Sequence, residues 1–161
     1  MKALVLYATR HGTTRRVAEA IATGIRTVAP AEVRPVAAVD ALMDPAELVI
    51  VGGPTEAHRI TADMLDFLQK LSQDAVRGRR AAAFDTRLRW PQWLSGSAAQ
   101  TIGRKLERLG AASPVPTESF FVSTEPDITS DELDRASAWG RMLAEEAMAE
   151  LAMPSKATGA A

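Results

Sequence analysis

The chain reads as five short apolar runs interleaved with four stretches of helical spacing. Ala3-Leu4-Val5-Leu6-Tyr7 is apolar without alternation, the mark of a strand buried on both faces. Val17, Ile21 and Ile25 then recur every four residues, with Ala20 and Gly24 on the same face, and predict a helix. Glu32 to Val36 reads as a short strand; Pro35 removes a ladder donor and sends it to a sheet edge. Asp44-Pro45 signals a turn or helix start, and Glu47 to Gly53 is the second strongly buried strand. Thr61 to Leu71 has Met64, Leu65, Leu68 and Leu71 on one helical face. Arg80 to Asp85 is a strand of small residues suited to a crowded sheet centre. Ser97 and Gln100 have capping-box spacing ahead of a helix through Ile102, Leu106 and Leu109, which Gly110 stops. Ser119 to Val122 is the last strand. Thr129 and Glu132 open a long helix through Leu133, Ala136, Gly140, Leu143, Ala147 and Leu151.

Strands alternating with helices predict an α/β fold, a doubly wound five-stranded parallel sheet with helices on both faces. The edge position of the Pro35 strand fits the order 2-1-3-4-5. In that order strands one and three are neighbours whose crossovers leave in opposite directions, so a crevice opens at their carboxyl ends. The loops after strands one, three and four should converge there. One domain over residues 1–153 is expected, with 154–161 as a frayed tail.

At 161 residues and 47% hydrophobic content the chain can bury a globular core. The absence of cysteine excludes disulfides, thiol nucleophiles and thiolate metal sites, so redox chemistry would need a bound cofactor. No apolar run approaches the ~20 residues that cross a membrane. Met1-Lys2 leads directly into a core strand, so no secretory leader and a cytoplasmic location are expected. The net charge of −1 hides a basic block: Arg77 to Arg108 carries eight Lys/Arg against Asp85 and Glu107. That block lacks any nucleic-acid motif, and a solvated surface is preferred to a nucleic-acid partner.

The three converging loops carry the candidate chemistry. Thr9-Arg10-His11-Gly12-Thr13-Thr14 joins the first strand to the first helix, whose N–H groups and positive dipole end face the loop. Hydroxyls and a glycine there suit a phosphate monoester; the alternative is that the threonines only cap the helix. The loop has neither GxxxxGK nor GxGxxG, which disfavours nucleoside triphosphates and dinucleotides. Gly53-Pro54-Thr55-Glu56-Ala57-His58-Arg59 and Thr86-Arg87-Leu88-Arg89-Trp90-Pro91-Gln92-Trp93 are the second and third loops.

The stretch Y-A-T-R-H-G-T-T-R resembles the FMN-phosphate loop of the flavodoxin family, with Thr9, Gly12 and Thr14 matching and His11 in place of a hydroxyl residue. Gly52-Gly53-Pro54-Thr55 resembles that family's GxPT-type loop, which packs along one face of the isoalloxazine ring. Phe84-Asp85-Thr86-Arg87 falls where the family has its second flavin loop, and the resemblance extends from Lys2 to about Leu151. The segment from Ala81, Trp93-Leu94 and the Ser119 strand look like a short-chain branch found in actinobacterial proteins.

The resemblance implies FMN, held by Thr9, Arg10, His11, Gly12, Thr13, Thr14, Pro54, Thr55, Glu56, Ala57, His58, Thr86, Arg87, Leu88, Arg89 and Trp90. Trp90 is the candidate stacking aromatic, whereas Trp93 is expected to pack beneath its loop. Arg59, Arg87 and Arg89 in these loops would stabilise the reduced, anionic ring by roughly 1 kcal/mol each, giving a less negative low-potential couple than an acidic flavodoxin. The implied activity is an electron carrier working between a reductase and an acceptor protein, with no catalytic side chain and no metal. Two alternatives stand beside it. One is an FMN enzyme of the flavodoxin-fold protoporphyrinogen oxidase type; the other is a binding module that keeps the fold without FMN.

Overall fold

A computed structural model describes residues 1–39, 45–56, 59–125 and 127–153. The expectations for Asp44, Ala57, His58 and the 154–161 tail lie outside those residues. The strands are β1 (Ala3–Tyr7), β2 (Ala31–Pro35), β3 (Leu48–Pro54), β4 (Arg80–Leu88) and β5 (Thr117–Val122). The helices are α1 (Thr13–Arg26), α2 (Ala62–Lys70), α3 (Gln92–Ser95), α4 (Ala98–Arg108) and α5 (Ser130–Ala152). The strands form one parallel sheet in the order β2-β1-β3-β4-β5. Pro35 sits on the edge strand, as its missing N–H requires.

The pleat divides the apolar runs between two layers. Leu4, Leu6, Val49, Val51, Ala81 and Ala83 face Met64, Leu68, Ile102 and Leu106 of α2 and α4. Ala3, Val5, Leu48, Ile50, Ala82 and Phe84 face Val17, Ile21, Ile25 and Leu143 of α1 and α5. Burial on both faces is why β1 and β3 are continuously apolar. Where α1 and α5 cross, glycine is required on each side. A Cβ on Gly24 would lie 1.8 Å from the Ser137 carbonyl oxygen, and one on Gly140 would lie 2.2 Å from that of Ile21.

Several expectations are corrected. β4 continues three residues beyond Asp85, because β5 lies alongside and pairs Thr86, Arg87 and Leu88 with Phe120, Phe121 and Val122. Trp93 does not pack beneath its loop; it is 79% exposed on α3, a helix too short to bury a face. Leu65 and Leu151 are also solvent-facing. The large aromatic of the last helix is Trp139, buried edge-on to Phe120 with 6.0 Å between ring centroids. Thr129 caps α5 as expected, but Glu132 does not return to it. Its carboxylate instead accepts from the Phe121 N–H at 2.8 Å and pairs with Arg135.

The basic block does not form one patch. Arg77, Arg79 and Arg80 stand at the start of β4, while Arg87 and Arg89 stand near its far end, about 30 Å of extended chain away. Arg80 is further paired with Glu146 and Glu150 of α5.

Candidate functional site

The carboxyl ends of β1, β3 and β4 open on a crevice of about 160 Å³. The first loop lines it with Thr9, Arg10, His11, Thr13 and Thr14. Pro54, Thr55 and Glu56 form the second wall, and Thr86, Arg87 and Leu88 come from the extended end of β4. Val122 of β5, which sequence reasoning missed, completes the lining. A larger hollow of about 420 Å³ lies at the opposite end of the sheet between Pro45, Gly78, Arg80 and Leu151, away from all three loops.

The start of α1 differs from that of the other long helices. Gly12 is its cap, in the left-handed region at φ 82°, and among the described residues the helix start has no side-chain cap hydrogen bond. By contrast, Thr61, Ser97 and Thr129 each cap their helices through a side-chain oxygen. Thr9, the residue placed to cap α1, instead accepts from the Gly12 N–H at 3.0 Å, which folds the loop onto itself. The threonines therefore do not cap α1, and its positive end faces the crevice. Thr14 is 2% exposed, and its hydroxyl lies 2.8 Å from that of Thr86. Such a pair spends one of its two protons internally and keeps one for a ligand.

The second wall is fixed from behind. Thr55 donates its backbone N–H to the Thr86 carbonyl at 2.9 Å and its hydroxyl to Asp85 Oδ2 at 2.9 Å. The same hydroxyl accepts from the Ala98 N–H at 2.8 Å. The Thr55 side chain is thus engaged with Asp85 and α4, and among the described residues Pro54 and Glu56 also line the crevice from this loop. Across the mouth, Arg10 pairs with Glu56 at 3.1 Å, joining the first two loops; both side chains are partly exposed, so the pair contributes at most about 1 kcal/mol.

Arg87 lines the crevice, but its guanidinium is engaged elsewhere. It donates to Ser119 Oγ at 3.1 Å, the Trp90 carbonyl at 3.0 Å and Ser95 Oγ at 3.2 Å, and it lies over the Phe121 ring at 5.2 Å. Arg89 lies over the same ring at 4.5 Å, and Arg59 is exposed with its backbone bridged to Glu56. Arg89 and Trp90 are outside the crevice lining, with Trp90 56% exposed. Gly12 shapes the first loop without lining the space.

Behind β5, burial works against the charged form of Glu132, yet the Arg135 guanidinium and the Phe121 N–H together hold its carboxyl below the ordinary value. Beside the first turn of α1, the Ile128 N–H and Arg16 hold the carboxyl of Asp127 below its ordinary value. Among the described residues no cluster of His, Asp and Glu could hold a metal ion.

Residues 4–92 match the family model described as a flavodoxin domain. The chain belongs to the flavodoxin family. Flavodoxins are FMN-binding electron carriers at the level of the family, and the sheet order is theirs. A flavodoxin from the domain Archaea is similar at 25% identity over 92% of this chain and 99% of its own, with a TM-score of 0.73. Oxidised Flavodoxin 1 from Bacillus cereus is 22% identical over 90% of this chain and 98% of its own, with a TM-score of 0.75. The flavodiiron protein from Giardia intestinalis is 21% identical with a TM-score of 0.72, but only 38% of its length corresponds to 95% of this flavodoxin. No curated protein sequence matches the chain.

The residues of this flavodoxin fit FMN in parts. The uncapped start of α1 with Gly12, Thr9 and the Thr14–Thr86 pair suits a phosphate and hydroxylated chain. Leu88, Val122 and Pro54 offer apolar surface at the rim. At about 160 Å³ the crevice is below the ~300 Å³ typical of an enclosing pocket, so a flat ring would lie across the rim rather than inside it.

Proposed function

We propose that this flavodoxin binds FMN in the crevice and carries electrons between a reductase and an acceptor protein. The observation that carries the reading is the contrast at the helix starts: three long helices are closed by a side-chain cap, while α1 begins at Gly12 with none and faces the convergence of three loops. Bound FMN supplies one-electron chemistry that no side chain here offers. The start of α1 holds the phosphate through backbone N–H groups and dipole. Thr14 and Thr86 supply a hydroxyl donor, and Pro54 to Glu56 form the wall along the ring. The open rim leaves one edge accessible to a protein partner, as electron transfer between proteins requires.

Supporting the carrier over an enzyme is the small size of the crevice, about 160 Å³, which suits a flavin lying across an open rim more than a flavin and a substrate enclosed together. The test is to reconstitute the apoprotein with FMN, reduce it with dithionite and mix it with cytochrome c. Transfer to the haem without turnover of a porphyrinogen in the presence of menaquinone is the expected result. Porphyrinogen turnover would instead establish an enzyme, and failure to take up FMN would leave a module without flavin.

A further inference from the structure

Asp85 is the most deeply placed charged group near the crevice, and flavin binding as described does not use it. It is 0% exposed at the point where β4 passes between β3 and β5, opposite Gly53 and Ser119. Its Oδ2 accepts three hydrogen bonds: from Thr55 Oγ1 at 2.9 Å, Ser97 Oγ at 2.7 Å and the Ala99 N–H at 3.1 Å. Those donors come from two separate segments, the crevice wall after β3 and the start of α4. Its Oδ1 is buried and has no hydrogen-bond partner among the described residues. Arg87 Nε, at 3.9 Å from it, is beyond hydrogen-bond distance.

A buried oxygen of a carboxylate without a partner is costly, and a structural clamp alone would not need the charge. An amide of the same shape could accept the Ala99 N–H, and the two hydroxyls could reorient to suit it. What an amide lacks is the charge. The wall residue that Asp85 holds, Thr55, lies between this carboxylate and the crevice, so its field reaches the crevice through a dry wall where screening is weak.

We propose that Asp85 is a positioning residue of the crevice whose buried carboxylate, clamped to Thr55 and to the start of α4, also sets a flavin bound there to a more negative potential. The inference rests on the FMN reading above. A fixed negative charge behind the wall disfavours addition of negative charge in front of it, and the Thr55 clamp keeps the separation constant. Three donors and the positive end of α4 hold the charge in place. Arg87 offsets it only in part, since its guanidinium is shared among Ser119, Ser95 and the Trp90 carbonyl.

The experiment compares wild type, Asp85→Asn and Ser97→Ala, each reconstituted with FMN, by reduction against reference dyes together with thermal melting. Asp85→Asn is expected to raise the affinity for reduced relative to oxidised FMN by at least about threefold, read as a less negative midpoint potential. Ser97→Ala removes one arm of the clamp and keeps the charge; it should lower the melting temperature without moving the potential. If Asp85→Asn does not fold, Asp85→Ser, which also keeps an acceptor and removes the charge, takes its place. An unchanged potential in the charge-free variant, or an equal shift in Ser97→Ala, overturns the assignment while leaving FMN binding intact. A wild-type protein that takes up no FMN overturns the FMN reading and this inference together.

Discussion

Thr14 and Thr86, 72 positions apart in the chain, meet hydroxyl to hydroxyl at 2.8 Å and join the first turn of α1 to the end of β4. The bond is buried, and it fixes the start of α1, which has no side-chain cap, against an inner strand of the sheet. Thr86→Val leaves the Thr14 hydroxyl buried without this partner and is expected to cost about 1–3 kcal/mol in urea unfolding. Replacing both by valine should cost less than the sum of the two single changes, because neither hydroxyl is then stranded. All three variants should bind FMN more weakly than wild type.

The crossing of α1 and α5 admits no side chain at two positions. Gly24 faces the Ser137 carbonyl and Gly140 the Ile21 carbonyl, each too close for a Cβ. Gly140→Ala forces the helices apart and is expected to destabilise by about 1–3 kcal/mol or more. The melting temperature should fall, while FMN affinity at a temperature where the variant stays folded should be unchanged.

The tryptophans divide by burial. Trp139→Ala removes a ring packed on Phe120 and should cost about 3–5 kcal/mol. Trp93→Ala removes a ring that is 79% exposed and should change stability by less than about 0.5 kcal/mol. Intrinsic fluorescence provides a second check, since Trp93 should emit at long wavelength and Trp139 at short.

Glu132 gives the fold an acid limit. Its folded carboxyl titrates below the ordinary value of 4.5, so its contribution is fully present above about pH 4.5 and is lost as pH falls through the folded value. Glu132→Gln should therefore reduce stability at pH 7 and show a flatter loss of stability between pH 4.5 and lower pH. Melting curves across that range measure both.

Local signals carried the fold a long way. Pro35 placed the edge strand, the Ser97 and Thr129 spacings gave two helix starts, and continuous apolar runs gave the central strands. What the sequence left hidden depends on partners distant in the chain. β4 runs on through Thr86, Arg87 and Leu88 because β5 lies beside it, and polar residues there look like a loop until Phe120 and Phe121 are in place. Trp93 is expected from the sequence to pack beneath its loop, but a helix of four residues has no face to bury it. Within the site, Thr9 to Thr14 showed its glycine and its hydroxyls. The turning of Thr55 toward Asp85 and α4, and of Arg87 toward Ser119 and Ser95, had no local signature.

The central claim is that the uncapped start of α1 holds the phosphate of a flavin. Calorimetric titration of the apoprotein with FMN and, separately, with riboflavin tests it most directly, because the two differ only in that phosphate. FMN is expected to bind at least about tenfold more tightly, with the difference shrinking as salt is raised. Equal affinity for riboflavin, or no binding of FMN, would contradict the account.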